Sequence, residues 1–132
     1  PTFTPTPTFT PTPTPELNFK FVYNDTENCG ADWYIDFKVT NNGGSTLQSV
    51  SITVTDNNES QTVTNTKDKF EEFEGCILSG ALNDLTAGEV GYTSSNSLSN
   101  DPAGHDIDAT IKVCTEDGLG GDCITKTLNF TP

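Results

Sequence analysis

The sequence has no methionine and no arginine, one tryptophan, one histidine, and six basic residues against nineteen acidic ones. Each scarcity excludes something. At a net charge of −13, with every basic residue a lysine, a phosphate backbone is repelled, so nucleic acid is excluded as a partner. The one histidine, His105 in Ala103-Gly-His-Asp-Ile107, has no Gly-x-Ser-x-Gly motif to work with, and a triad would need His105, Asp106 and a serine that nothing places. It reads as a loop histidine bonded locally. Carboxylates are abundant, but a domain this small offers little wall for a sugar cleft. The chain is therefore not expected to be an enzyme. No stretch approaches the ~20 apolar residues of a membrane helix, so no membrane insertion is expected. A signal peptide is also missing, which reads as a mature form or a fragment.

What is present begins with residues 1–15, built only of Pro, Thr and Phe in a six-residue period, PTFTPT PTFTPT PTP. Alternate prolines remove backbone donors and fix φ, which excludes helix and central strand and favours polyproline II. Thr2, Thr4, Thr6, Thr8, Thr10, Thr12 and Thr14 then fan out over all faces, as in densely O-glycosylated stalks. Phe3 and Phe9, six apart, share one edge, and a bare spacer has no need of them; they are candidates for packing against a neighbouring subunit. The C-terminal Phe130-Thr131-Pro132 repeats the stalk's vocabulary, which suggests one segment of a longer protein alternating stalks and domains.

The folding unit is expected at 16–132. Its cysteines are Cys29, Cys76, Cys114 and Cys123; an even count with no CxxC favours disulfides over zinc. Cys114 and Cys123 flank a short loop, so their strands should form a hairpin, leaving Cys29 to Cys76. Parity puts both hairpin cysteines on the outer face, out of phase with Ile107–Val113 and with Ile124, Leu128 and Phe130.

Apolar–polar alternation dominates the domain. Leu17, Phe19, Phe21 and Tyr23 share one face of a first strand. Trp33, Ile35, Phe37 and Val39 share one face of a second, with Tyr34, Asp36, Lys38 and Thr40 opposite. Val50, Ile52 and Val54 mark a third, and further strands fall at Thr62–Thr66, Val90–Ser94, Ile107–Val113 and Ile124–Phe130. Asn41-Asn-Gly-Gly44 is a turn signal. Between Lys67 and Leu78, the spacing of Phe70, Phe73 and Ile77 predicts a loop with a helical turn. About seven short strands without a long helix imply an all-β, immunoglobulin-like Greek-key sandwich.

The segment Asp36–Thr55, with its Asn-Gly turn and Leu47-x-x-Val50, followed by Leu85-Thr-Ala-Gly-Glu89, resembles bacterial cell-surface immunoglobulin-like repeats of the CARDB and DUF11 type. The resemblance covers the middle of the domain, and the four cysteines are not part of it. It implies an extracellular sandwich used in tandem on long surface and adhesion proteins.

Asp101, Asp106 and Asp108 are calcium candidates, and Glu116, Asp117 and Asp122 crowd the last hairpin loop; neither cluster has EF-hand spacing. No other cofactor is expected beyond covalent glycans. Tyr34 and Tyr92 are candidate sugar-stacking residues. Lys20 and Asn129 occupy positions suited to an isopeptide bond, but Lys20 is out of phase with Phe19 and Phe21 and faces water. The resulting expectation is a structural or adhesive subunit of an extracellular filament, stalk or surface layer, whose partners are copies of itself or neighbouring repeats. The alternative is a carbohydrate- or ligand-binding accessory module of a larger secreted protein.

Overall fold

The alternating pattern resolves into nine strands in a computed structural model that describes residues 3–6 and 16–132. They are β1 (Lys20–Cys29), β2 (Asp32–Thr40), β3 (Ser49–Asp56), β4 (Gln61–Lys67), β5 (Phe70–Glu74), β6 (Ile77–Leu82), β7 (Val90–Ser94), β8 (Ile107–Glu116) and β9 (Gly120–Phe130). All pairings between them are antiparallel. Sheet β1-β2-β7 faces sheet β4-β3-β8-β9, and β5-β6 forms a hairpin of its own. No α-helix occurs among the described residues; a single 3₁₀ turn, Asp117–Leu119, joins β8 to β9.

The core lies between the two larger sheets. Phe19, Phe21, Ile35, Phe37 and Val39 come from one side, and Val50, Ile52, Val54, Ile107, Ala109, Ile111 and Val113 from the other. These are the in-phase residues of each strand, so a period of two selects one buried face. Phe37 and Phe130 meet edge to face with centroids 5.6 Å apart, and Tyr23 stacks on Phe130 at 5.2 Å. Trp33 packs partly buried against the same cluster.

The stretch Lys67–Leu78 holds no helical turn. It contains β5 and the start of β6, which pair as a hairpin. The three-four spacing of its apolar residues imitates a helix face, yet those side chains go to different places. Phe70 is fully buried in the core, Phe73 lies 4.4 Å from the Tyr34 ring, and Ile77 is exposed. The reversal is made by Gly75 and Cys76 at φ 60° and 62°, the two-residue turn with positive φ that suits a twisted hairpin.

The disulfides join Cys29 to Cys76, 47 residues apart, and Cys114 to Cys123, 9 apart. By loop closure they are worth about 4 and about 2.5 kcal/mol. Cys114 and Cys123 are direct cross-strand partners. Parity does place Cys114 opposite the core-facing row, but it does not lie in the open: it is completely buried. The 3₁₀ turn folds over it, with the Ser49 hydroxyl donating to Glu116 O at 2.6 Å and accepting from Leu119 N at 3.0 Å.

One polar side chain ties the fold together near Glu16. Asn41, fully buried, donates through Nδ2 to Ser45 O at 2.7 Å and Leu85 O at 2.8 Å, and its Oδ1 accepts from Gly43 N. Its backbone bonds Glu89 O and Gly88 N, while Leu47 and Leu85 exchange a reciprocal pair of backbone bonds. The turn Asn41–Gly44 and the segment Leu85–Glu89 are thus locked together across 44 residues of sequence. Replacing Asn41 by alanine deletes three hydrogen bonds from a buried site, and an expected loss of about 2–3 kcal/mol in urea unfolding checks this role. A loss within the ±0.5 kcal/mol typical of surface changes would contradict it.

Candidate functional site

No pocket is formed among the described residues, and every buried side-chain polar atom there has a hydrogen-bond partner. Chemistry that differs from an ordinary solvated surface concentrates at the two ends of the sandwich and on one outer face.

At the first end, Glu16 O accepts from Gly44 N at 2.8 Å and Ser45 N at 3.0 Å. Gly43 is required beneath this joint, because a Cβ there would meet Glu16 O and come within 2.6 Å of Asn18 N. The Asn41 knot therefore also anchors Glu16. Of the N-terminal Pro/Thr/Phe segment, residues 3–6 are exposed, and Phe3, at 90% accessible, is the most exposed large apolar side chain among the described residues. Thr4 and Thr6 are exposed as well. Phe9, Thr2, Thr8, Thr10, Thr12 and Thr14 lie outside the described residues.

At the opposite end, β3 finishes at Asp56 beside Ile107 and Phe130. Pro132 O accepts from Gly104 N here. Asp106 and Asp108 do come together, but amides occupy them. Asn129 Nδ2 donates to both at 2.7 Å, and Asn57 Nδ2 donates to Asp106 at 3.1 Å and Asp108 at 2.9 Å. Those bonds hold the Asp108 carboxyl below the usual carboxylate range. Asp101 instead accepts from Ala103 N within its own loop. Among the described residues no group of three or more His, Cys, Asp or Glu is arranged to hold a metal ion. Neither Asn129 nor Lys20 is poised for an isopeptide bond: Asn129 is taken up by these aspartates, and Lys20 is exposed.

His105 belongs to this end too. Its Nδ1 lies 2.7 Å from Oδ2 of the buried Asp56, and that hydrogen bond raises the imidazole pKa. The outer face of the other sheet holds Asp36, opposite the core as parity requires, yet only 1% exposed. Its Oδ2 accepts from Asn24 Nδ2 at 2.9 Å, and Phe73 N lies 3.5 Å from Oδ1. Burial pushes the Asp36 carboxyl up to about 7 against the help of those donors, and Glu72 and Asp25 push it further. Tyr34, its neighbour on this face, gives its ring to Phe73. Tyr92 stands beside Lys38, further along β2, so the two tyrosines do not form a joint platform.

No family model, no curated protein and no solved structure matches this chain.

Asp36 and His105 act in one direction. Asp36 is protonated in the fold and ionised in the unfolded chain between pH 3.8 and about 7, so stability falls as pH rises through that window. The His105–Asp56 contribution is present below the imidazole's ordinary value of 6.5 and is lost as pH rises through its raised one. Thermal unfolding should therefore show a midpoint that declines from pH 5 to pH 8. Asp36→Asn should flatten the slope below pH 7 and leave the His105 part in place. A midpoint that climbs over this range would contradict the assignment.

Proposed function

We propose that this chain is a structural or adhesive subunit of an extracellular filament, stalk or surface layer, formed of an immunoglobulin-like Greek-key sandwich on an O-glycosylated Thr/Pro rod. The observation that carries the reading is the placement of Glu16 and Pro132 at opposite ends of the sandwich. Tension or polymer contacts entering through the stalk then pass along the strands and leave at the far end, as in a domain strung axially. Strand order supports the fold assignment: β1-β2-β7 against β4-β3-β8-β9 fits a seven-stranded immunoglobulin-like sandwich, with β5-β6 inserted between its fourth and fifth strands, β4 and β7. The residues shared with the CARDB and DUF11 type, the Asn-Gly turn and Leu85–Glu89, are the ones that meet at Asn41. Two disulfides suit an oxidising compartment outside the cytosol. No helix of the described residues is long and apolar enough to cross a membrane.

Partners on this reading are other copies or neighbouring repeats, and the rod carries covalent glycans. Intact mass spectrometry of native material tests the rod. The 1–15 peptide should carry mass in hexose-sized steps, and the whole chain should lie four protons below its reduced form. Bare threonines on that peptide would remove the glycosylated rod from the account.

A further inference from the structure

The outer face of sheet β1-β2-β7 divides into two halves of unlike character, and what they fit does not depend on the stalk. Cross-strand partners share a face, so the register gives the rows of side chains on it. From the Glu16 end, the first row is Lys20, Thr40 and Val90, and the second is Val22, Lys38 and Tyr92. The third is Asp25, Asp36 and Ser94, the fourth is Glu27 and Tyr34, and the last is Cys29 and Asp32.

The β5-β6 hairpin lies over the last three rows. Phe73 N lies 3.5 Å from Asp36 Oδ1, the Phe73 ring is 4.4 Å from that of Tyr34, and Cys76 is bonded to Cys29. Phe73 therefore points at the sheet. Alternation turns Glu72 and Glu74 the other way, and Ile77, the direct partner of Glu74, goes with them. The first two rows are left open, with Lys20, Val22, Lys38 and Val90 exposed.

Charge divides along the same line. The open rows hold two lysines and no acid, in a chain of net charge −13. Neither lysine is in an ion pair among the described residues, whereas Lys67 and Lys69 both meet Glu71, and Lys126 is turned onto Asn18 and Phe19. The covered half carries Asp25, Glu27, Glu72 and Glu74, and its hairpin strands contain no lysine. Exposed apolar surface is shared between the halves. Apart from Phe3, the exposed large apolar side chains among the described residues are Val22 and Val90 on the open rows and Ile77 and Leu78 on the hairpin.

A raised, acidic half beside a recessed, basic half is complementary to itself. A two-fold axis running across the strands, between the second and third rows, sets the hairpin of each copy on the open rows of the other. It brings the second row opposite the third and the first opposite the fourth. Glu72 acts on Asp36 of the third row, and Glu74 on Glu27 of the fourth. Lys38 therefore faces Glu72 of a second copy, and Lys20 faces its Glu74. We propose that this face is a self-association surface, on which two copies of the chain pair antiparallel about that axis. Each lysine gains the partner it lacks in its own chain, and Val22, Val90 and Tyr92 close on Ile77 and Leu78 of the second copy. In an axial assembly the same contact joins neighbouring strings of domains that run in opposite directions.

The test uses the full chain carrying Phe3→Ala and Phe9→Ala, so that assembly through the stalk does not enter. Sedimentation equilibrium up to about 1 mM, where even a weak complex is populated, should show a monomer–dimer equilibrium that weakens as salt is raised. Lys20→Glu with Lys38→Glu, and separately Glu72→Lys with Glu74→Lys, should each self-associate at least about tenfold more weakly, because like charges are then opposed. Mixed in equal amounts, the two variants should dimerise again, a recovery that misfolded chains cannot give. In a mixture of isotope-labelled and unlabelled chain without the charge changes, a carbodiimide should join Lys38 to Glu72 and Lys20 to Glu74 in dimers of mixed mass. A monomer at every concentration, charge reversal without effect, no recovery on mixing, or cross-links confined to one chain would overturn the proposal. Filaments formed by the natural chain beside such a monomer would leave the filament reading standing. A salt-sensitive dimer from a chain whose stalk assembles nothing would uphold the face and sink the filament.

Discussion

The buried amide of Asn41 is the constraint on which the rest of this structure depends. An amide in an apolar interior must find partners for both its oxygen and its nitrogen, and only one arrangement of the surrounding backbone supplies them. That arrangement closes the Asn41–Gly44 turn and draws Leu85–Glu89 against it. The same turn then offers the N–H groups of Gly44 and Ser45 to Glu16, and Gly43 leaves room for the chain to pass. The start of the described domain at Glu16 is therefore held by this buried polar site.

Elsewhere the sandwich is closed and its unusual groups serve the scaffold. Asp106 and Asp108 are bound by asparagine amides, and His105 by Asp56. Asp36 is the exception, since it holds a carboxyl in a site that disfavours its charge, under the hairpin pinned by Cys29–Cys76. Glu72 and Asp25 add their charge at Asp36, and Asp25 and Glu74 add theirs at Glu27 beside the disulfide. The features left facing outward among the described residues are a threonine-rich face and the exposed β6 strand with Ile77 and Leu78.

Much of the fold was legible because each main strand buries one face. The alternation in Trp33–Val39, Val50–Val54 and Ile107–Val113 identifies the core rows directly. The β5-β6 hairpin was not legible, because Phe70, Phe73 and Ile77 fall at helical spacing by coincidence of three separate destinations, and because Gly-Cys is an uncommon pair for a turn with positive φ at both residues. That one misreading hid the burial of Asp36, which parity assigns to an outer face and which Asn24 of β1 and Phe73 of β5 cover. Cys114 is the same lesson in smaller form: a period of two reports which face a residue occupies, not what later folds across that face. Asn41 looked like a turn former, and its larger role depends on a segment 44 residues away.

The stalk remains the most informative stretch of sequence, since its strict alternation of donor and non-donor residues restricts how it can engage another copy. The central claim is that this chain assembles through its stalk. Sedimentation velocity of the full chain over rising concentration, beside a Phe3→Ala, Phe9→Ala double variant, tests it most directly. The account predicts that the natural chain shifts to larger species while the variant goes no further than a dimer. Identical monomeric profiles, or identical assembly by both, would contradict it.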